Sequence, residues 1–242
     1  MTHPFLSIII PAYNEEGRLP TSLEKLFTFL NSQTYTFEVV VVENGSQDRT
    51  FQVGQEFASR LQDLRIIHID ESGKGLAIKQ GILASSGQYR FIADADFSMP
   101  VDEINLFLPP ACDCDIAIAS RETPGSVRYN EPPFRHFTGR MFNLLIRLLV
   151  LPDLHDTQCG FKCFRGDVAE DIFRYQTLSG WAFDVEVLKI ARLHGWQIKE
   201  IPVNWYYFPG SKVSIMRDSM RMLIEMLTIL RNARRGDYDR KV

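Results

Sequence analysis

Asp94-Ala95-Asp96 follows directly on the apolar run from Tyr89 to Ala93. Strand side chains alternate, so both carboxylates of such a pair can face one side. Paired carboxylates suit a hard divalent cation, which takes one or two protein oxygens and fills its other positions with water and phosphate oxygens. Mg²⁺ or Mn²⁺ held this way bridges a diphosphate and stabilises it as a leaving group. Lys74 stands between two glycines in SGKGLAIKQG, directly before a predicted helix whose free backbone N–H groups would favour an anion. The spacing is neither that of a P-loop nor that of a dinucleotide fingerprint, which excludes an NAD-dependent dehydrogenase. Pro11, Tyr13, Asn14 and Glu15 bring a rigid bend, an aromatic face, an amide and a carboxylate to the end of an earlier apolar run. Such a set can stack on a nucleobase and hydrogen-bond to it. Asp48 suits a helix N-cap or a base contact, two roles that can coexist.

These residues need a frame. Apolar runs alternate with amphipathic helical patterns through the first half of the chain, the mark of parallel strands joined by crossover helices. Strands are predicted over Phe5 to Ile10, Phe37 to Val42, Arg65 to Ile69, Tyr89 to Ala93 and Asp115 to Ala119, and helices over Leu19 to Leu30, Thr50 to Leu61 and Leu76 to Ser85. The expected class is α/β, a mostly parallel central sheet with helices on both faces, and function is expected where the strand C-terminal ends meet their loops. Four polar loops, PAYNEE, ENGSQD, ESGKG and DADFSMP, fall on that one edge and predict a single composite site.

The second half is less regular. RETPGSVRYNE, from Arg121 to Glu131, reads as a turn-rich loop. A helix over Arg135 to Leu149 places His136, Arg140, Asn143 and Arg147 on one stripe and Phe137, Met141, Leu144, Leu145, Leu148 and Leu149 on the other face. Gln197 to Val203 reads as a strand. A last helix over about Ser214 to Arg231 carries Met216, Met220, Leu223, Leu227 and Leu230, followed by Arg234 and Arg235.

The 242 residues fit one or at most two domains and bury a core that needs no metal or disulfide staple. With 27 Lys plus Arg against 30 Asp plus Glu, the net charge of −3 argues against general nucleic-acid binding. Cys112, Cys114, Cys159 and Cys163 do not form the framework of a small secreted protein and read as reduced thiols, their C-x-C and C-x-x-x-C spacings being unlike the usual zinc knuckle. The N-terminus lacks the basic region and cleavage site of a signal peptide, and no stretch approaches the ~20 apolar residues of a membrane span. A cytoplasmic location is the default expectation.

SIIIPAYNEE, VVENGSQDRT, GKGLAIKQG and FIADAD resemble the successive motifs of family 2 glycosyltransferases of the GT-A fold. DTQCGFKCF, WAFDVEVLKIA and IPVNWYYFPGSKV resemble the polyprenyl-phosphate (dolichyl-phosphate) glucosyltransferase subgroup and carry the similarity over nearly the whole chain. The resemblance implies a single GT-A domain over 1–242, with a nucleotide-sugar half (1–120), an acceptor half (121–213) and a C-terminal amphipathic helix with a basic tail (214–242). It assigns Pro11, Tyr13, Asn14, Glu15 and Asp48 to the donor nucleoside. Glu43-Asn44 stands where the family has an acidic pair, which leaves open what Asn44 does in the nucleotide-sugar site. Asp94 and Ala95 fall on the nucleoside side. Asp96 is implied as metal ligand, with Ser98 where some relatives carry a Gln ligand. Arg121 and Arg135 match arginines that reach the acceptor phosphate, and a guanidinium binds phosphate bidentately.

The implied reaction is a direct displacement that inverts the anomeric carbon of a nucleotide-diphosphate hexose, with the metal and Lys74 helping the diphosphate leave. A lipid phosphate is already an anion near neutrality, with a second pKa near ~6, and needs no strong base. Transfer to a hydroxyl would need one, and Asp156 and Asp184 are the candidates; they equally suit orienting donor hydroxyls or holding a loop. UDP-glucose is the expected donor. The alternatives are GDP-mannose, a soluble acceptor, or a non-catalytic nucleotide-sugar binder, against which the joint presence of Lys74, Asp94, Asp96, Arg121 and Arg135 argues. A polyprenyl phosphate acceptor implies peripheral contact with the inner face of a membrane, and the two amphipathic helices are the segments suited to it.

Overall fold

The computed structural model describes residues 3–207 and 215–240, without the side chains of Arg135 and 215–220. Its strands are β1 (Leu6–Ala12), β2 (Phe37–Asn44), β3 (Leu64–Ile69), β4 (Tyr89–Ile92), β5 (Ile116–Ser120), β6 (Val127–Tyr129), β7 (Lys162–Arg165), β8 (Ile198–Pro202) and β9 (Asn204–Tyr206). Its helices are α1 (Leu19–Leu30), α2 (Thr50–Ala58), α3 (Lys74–Ala84), α4 (Pro133–Leu149), α5 (Gly166–Tyr175), α6 (Phe183–Leu193) and α7 (Ile215–Arg235), with a 3-10 helix over Val101–Phe107. Seven strands form one sheet in the order β3-β2-β1-β4-β7-β5-β8. All run parallel except β7, which is antiparallel to both neighbours. β6 and β9 form a separate parallel pair.

Alternation along buried strands builds two cores, one on each face of the sheet. Ile8 and Ile10 of β1 pack with Val39 and Val41 against Leu23, Leu26 and Leu30 of α1. Ile9, Val40 and Val42 face the other way, onto Ala77, Ile78 and Ile82 of α3. The predicted three-layer α/β class is therefore observed. α3 begins two residues earlier than expected, at Lys74, and the last helix runs on to Arg235.

α4 packs with the reverse of the usual polarity. Asn143 and Ile146 of its predominantly polar side are buried, while Phe137 is 64% and Leu148 72% exposed, with Phe134, Met141, Leu144, Leu145 and Leu149 also open to solvent. The helix docks through Asn143 and Ile146, with Phe142 packed beside them, and among the described residues its wider apolar face has no partner. α7 buries Met222, Met226 and Ile229 and exposes Ile224 and Leu227. Met216 and Met220 of its expected stripe lie outside the described side chains. No helix among the described residues is long and apolar enough to cross a membrane.

Two helical glycines make opposite predictions. A Cβ on Gly81 would meet Ile9 Cγ2 at 2.4 Å and Val42 Cγ2 at 2.9 Å, whereas one on Gly139 meets nothing within 4 Å. Gly81→Ala is expected to cost about 1–3 kcal/mol by overpacking, and Gly139→Ala to stabilise by about 0.5–1 kcal/mol. Urea unfolding curves with matched slopes check both signs.

Candidate functional site

β1, β2, β3 and β4 end on the same edge, and the loops beyond them are tied to one another. Asn14, in the left-handed region at φ 53°, donates its backbone N–H to Ser46 Oγ (3.0 Å) and accepts from the Gln47 N–H through Oδ1 (2.8 Å). Asp48 accepts from Thr50 N–H (2.9 Å), the first residue of α2, and from Glu16 N–H (3.2 Å), while the N-cap position itself is Arg49, with no side-chain cap. Both carboxylate oxygens of Glu15 accept from one edge of the Arg18 guanidinium, Oε2 from Nε (2.7 Å) and Oε1 from Nη2 (2.8 Å). Pro11 lies near the end of β1, and Tyr13 beyond it is 38% exposed. Glu43 is buried beneath the loop and binds His68 Nδ1 (2.5 Å). With its amide oriented to satisfy both partners, Asn44 donates to the Ala12 carbonyl (3.0 Å) and accepts from Gly73 N–H (2.9 Å). Its polar atoms hold the loops together.

At the centre, Lys74 Nζ lies 2.6 Å from Asp94 Oδ1 and 5.4 Å from the centre of the Trp181 ring. Burial works against the Lys74 ammonium, yet Asp94, Asp184 and Asp96 together hold its pKa above the ordinary value. Burial also works against the Asp94 carboxylate, and Lys74 outweighs it, so that carboxyl sits below its usual range. The fit around Asp94 is close. A Cβ at Gly160 would lie 2.3 Å from its Oδ2, so only glycine leaves room for the carboxylate there.

The α3 N-terminus departs from expectation. The Gly75 and Leu76 N–H groups both point to the Ser179 carbonyl, at 2.9 and 3.3 Å. A strap over 176–182 thus caps the helix, and these amides are not an open anion site. The strap is fixed in turn by Glu186, fully buried, which accepts from Thr177 and Leu178 N–H and from the Tyr238 hydroxyl (2.7 Å). Glu225 of α7 accepts from Ala182 N–H (3.1 Å).

Asp96 binds Ser98 through one oxygen, Oδ1, which takes both the Ser98 N–H (3.2 Å) and Oγ (3.1 Å). Phe97 between them is in the left-handed region at φ 42°, which turns Ser98 back onto Asp96. Burial and then the charge of Asp94 push the Asp96 carboxyl upward. The Ala95 carbonyl accepts from Ser22 Oγ (2.6 Å) and anchors the turn to α1. One carboxylate and one hydroxyl, in a field already too negative, suit a hard cation that keeps water and phosphate oxygens in its shell. Among the described residues, no cluster of three His, Cys, Asp or Glu side chains forms a closed protein cage for a metal. The four cysteines are free thiols, with Cys112 and Cys114 Sγ 2.6 Å apart.

Arg121 is not paired with Glu122 or Glu131. Its Nε and Nη2 hold buried Asp156 at 2.6 and 2.9 Å, its plane lies 5.4 Å from the Trp205 ring centre, and Arg128 takes Glu122 and Glu131 instead. Arg121, Arg128, His136 and Arg140 line an open depression of about 450 Å³ at the foot of α4. The Arg135 side chain lies outside the described residues. Asp184, at the start of α6, binds Lys162 Nζ at 2.7 Å. Sequence reasoning passed over Lys162, Gly160 and Trp181. Each lies in a string that carries the family resemblance, but a lysine inside a four-residue strand has no periodicity to mark it.

Burial would raise the Asp156 carboxyl, but Arg121 outweighs it and holds the pKa at about 2, against an ordinary 3.8. A depressed carboxyl stabilises the fold above the unfolded pKa and loses that contribution as the pH falls through the folded one. About 2 kcal/mol of stability is therefore expected to vanish between about pH 4 and pH 2. The stability gap between wild type and Asp156→Asn should narrow by that amount over this range in urea titrations. A constant gap would contradict the assignment.

The glycosyl transferase family 2 model matches residues 7–173. A dolichyl-phosphate beta-glucosyltransferase of Trichomonas vaginalis is 33% identical over 238 residues, covering 93% of this chain and 72% of that protein. The Homo sapiens dolichyl-phosphate beta-glucosyltransferase is 33% identical over 261 residues, covering 98% and 79%. Among solved structures, glucosyl-3-phosphoglycerate synthase from Mycobacterium tuberculosis, in complex with uridine diphosphate, superposes with a TM-score of 0.67 at 17% identity, covering 93% of this chain and 80% of that one, and thereby shares the fold. On the extent of the family match and on relatives above 30% identity along most of its length, this chain belongs to glycosyl transferase family 2.

Proposed function

We propose that the protein is an inverting hexosyltransferase that moves glucose from UDP-glucose to a polyprenyl (dolichyl) phosphate at a membrane surface. The observation that carries this reading beyond the family is that one helix, α4, both contributes to a depression lined by three arginines, a histidine and Glu122 and exposes an apolar face to solvent. Arg121, Arg128, His136 and Arg140 line the depression, and α4, which supplies two of them, exposes Phe137, Met141, Leu144 and Leu148. A phosphate on a hydrocarbon chain matches both surfaces at once. Arg121 and Arg135 receive the acceptor phosphate in this reading.

The donor nucleoside rests on Pro11, Tyr13, Asn14, Glu15, Asn44 and Asp48, with Asp94 and Ala95 beside it. Asp96 and Ser98 would hold Mg²⁺ or Mn²⁺, which when bound would supply charge neutralisation for the departing diphosphate. Lys74 adds an ammonium on the same side. The acceptor phosphate oxygen forms a bond to the anomeric carbon while the bond from that carbon to the diphosphate oxygen breaks, and the electron pair leaves on UDP. The acceptor is anionic near neutrality. No proton need be removed from it, so Asp184 orients hexose hydroxyls rather than acting as the base. The division into a nucleotide-sugar half (1–120), an acceptor half (121–213) and a C-terminal segment (214–242) follows these roles. Contact with the membrane is peripheral, through α4 and the exposed residues of α7.

Purified protein with Mg²⁺ or Mn²⁺, a polyprenyl phosphate and either UDP-glucose or GDP-mannose is expected to yield glycolipid from UDP-glucose, read by mass. Product from GDP-mannose alone would reassign the donor, and product only with a soluble acceptor would overturn the lipid reading. Asp96→Ala should lower turnover by roughly two orders of magnitude or more with the fold intact by circular dichroism. Phe137→Asp with Leu148→Asp is expected to reduce sedimentation with phospholipid vesicles while leaving thermal unfolding unchanged, because both side chains are exposed. Unaltered sedimentation would remove α4 from the membrane contact.

A further inference from the structure

Parallel strands deliver side chains to the site from their C-terminal ends, and β7 is the one strand that runs the other way. The chain therefore enters β7 at the site edge. Its first residue, Lys162, lies beside Ile92, the last residue of β4, and across from Ile118 of β5. The side chain is 1% exposed, and its Nζ donates to the Cys159 carbonyl (2.6 Å) and contacts Asp184 Oδ1 (2.7 Å). A buried ion pair is weak evidence for stability, because an apolar pair of similar volume serves a core as well or better. Its surroundings explain its presence. Asp184 also interacts with Lys74, and Lys74 binds Asp94, so cation and carboxylate alternate from β7 to the end of β4. Lys162 is the most strongly opposing charge to the burial that disfavours ionised Asp184.

We propose that Lys162 is a positioning residue for the donor hexose, fixing one oxygen of Asp184 so that the carboxylate is turned to accept hydrogen bonds from hexose hydroxyls. This rests on the donor reading above. The Cys159 carbonyl fixes the ammonium, and the ammonium fixes Asp184. Lys162 itself touches no substrate.

The experiment is calorimetric titration with Mg²⁺ and either UDP or UDP-glucose, without acceptor, on wild type, Lys162→Met, Lys162→Arg, Asp184→Asn and the double variant Lys162→Met/Asp184→Asn. Lys162→Met is expected to weaken UDP-glucose by roughly 10- to 100-fold, the range of a lost charged hydrogen bond, while UDP changes by less than about 3-fold. Lys162→Arg should keep most of the affinity. The double variant should bind UDP-glucose no more weakly than Asp184→Asn, since a residue acting through another costs nothing once that other is gone. Equal weakening of UDP and UDP-glucose, additive losses in the double variant, or wild-type affinity in Lys162→Met would overturn the proposal. Should Lys162→Met fail to fold, Lys162→Arg and the double variant, in which both charges are removed together, decide it. If wild type binds GDP-mannose instead, the same comparison with GDP and GDP-mannose applies. Binding of neither donor would overturn the donor reading and this proposal with it.

Discussion

The contact between Lys74 and Asp94 is the constraint around which the site is built. It joins the first residue of α3 to the residues just beyond β4, and both partners are partly buried, with side chains 19% and 31% exposed. Much of the surrounding structure serves to hold that contact. Gly160 clears the space for Asp94, and the 176–182 strap caps α3 through the Ser179 carbonyl. Glu186 holds the strap and is itself hydrogen-bonded by Tyr238, beyond the end of α7. A carboxylate on α6 and the Tyr238 hydroxyl therefore bear on a lysine that lies far earlier in the chain, at the start of α3.

The same pair sets the electrostatics. Asp94, Asp96 and Asp184 oppose Lys74 and Lys162, a surplus of one negative charge among groups linked through Lys74 and Asp94. Asp94 is held down by its lysine, whereas burial leaves Asp184 raised despite Lys162, and Asp96, which has no lysine of its own, is pushed upward by burial and by Asp94. Under the proposed function, a divalent cation at Asp96 would relieve that field and leave the centre positive, which is the condition for attracting a diphosphate. The alternative relief, protonation of Asp96, would leave the centre neutral.

The parallel half was legible because its information is periodic. β1 to β4 and α1 to α3 repeat apolar spacings that only one layered arrangement buries, and the polar loops between them could then be assigned to one edge. Legibility failed where tertiary context overrode local pattern. KCFR carries two cations in four residues and still forms the central antiparallel strand, because Lys162 finds Asp184 and Arg165 finds Asp115 and Asp167. The free amides expected at α3 are taken by a carbonyl from a strap about a hundred residues later in the chain, which no local signal could show. Likewise Arg121 has Asp156, 35 residues on, as its partner, rather than the nearby glutamates.

α4 shows the limit of periodicity most directly. The spacing of its apolar residues predicts a face correctly but not the direction in which that face points. Folding alone would turn Phe137, Leu144 and Leu148 inward, since burying each is worth roughly 1.5–3 kcal/mol. Instead Asn143 and Ile146 are inside, and Phe137, Leu144 and Leu148 are exposed on a different face of the helix from His136 and Arg140, which line the depression at its foot. A helix oriented against its own hydrophobic gradient needs an external apolar phase to be at its minimum. Under the proposed function the acceptor chain and the surrounding lipid are that phase, so the feature that looks least stable in water is the one a lipid-phosphate transferase would need.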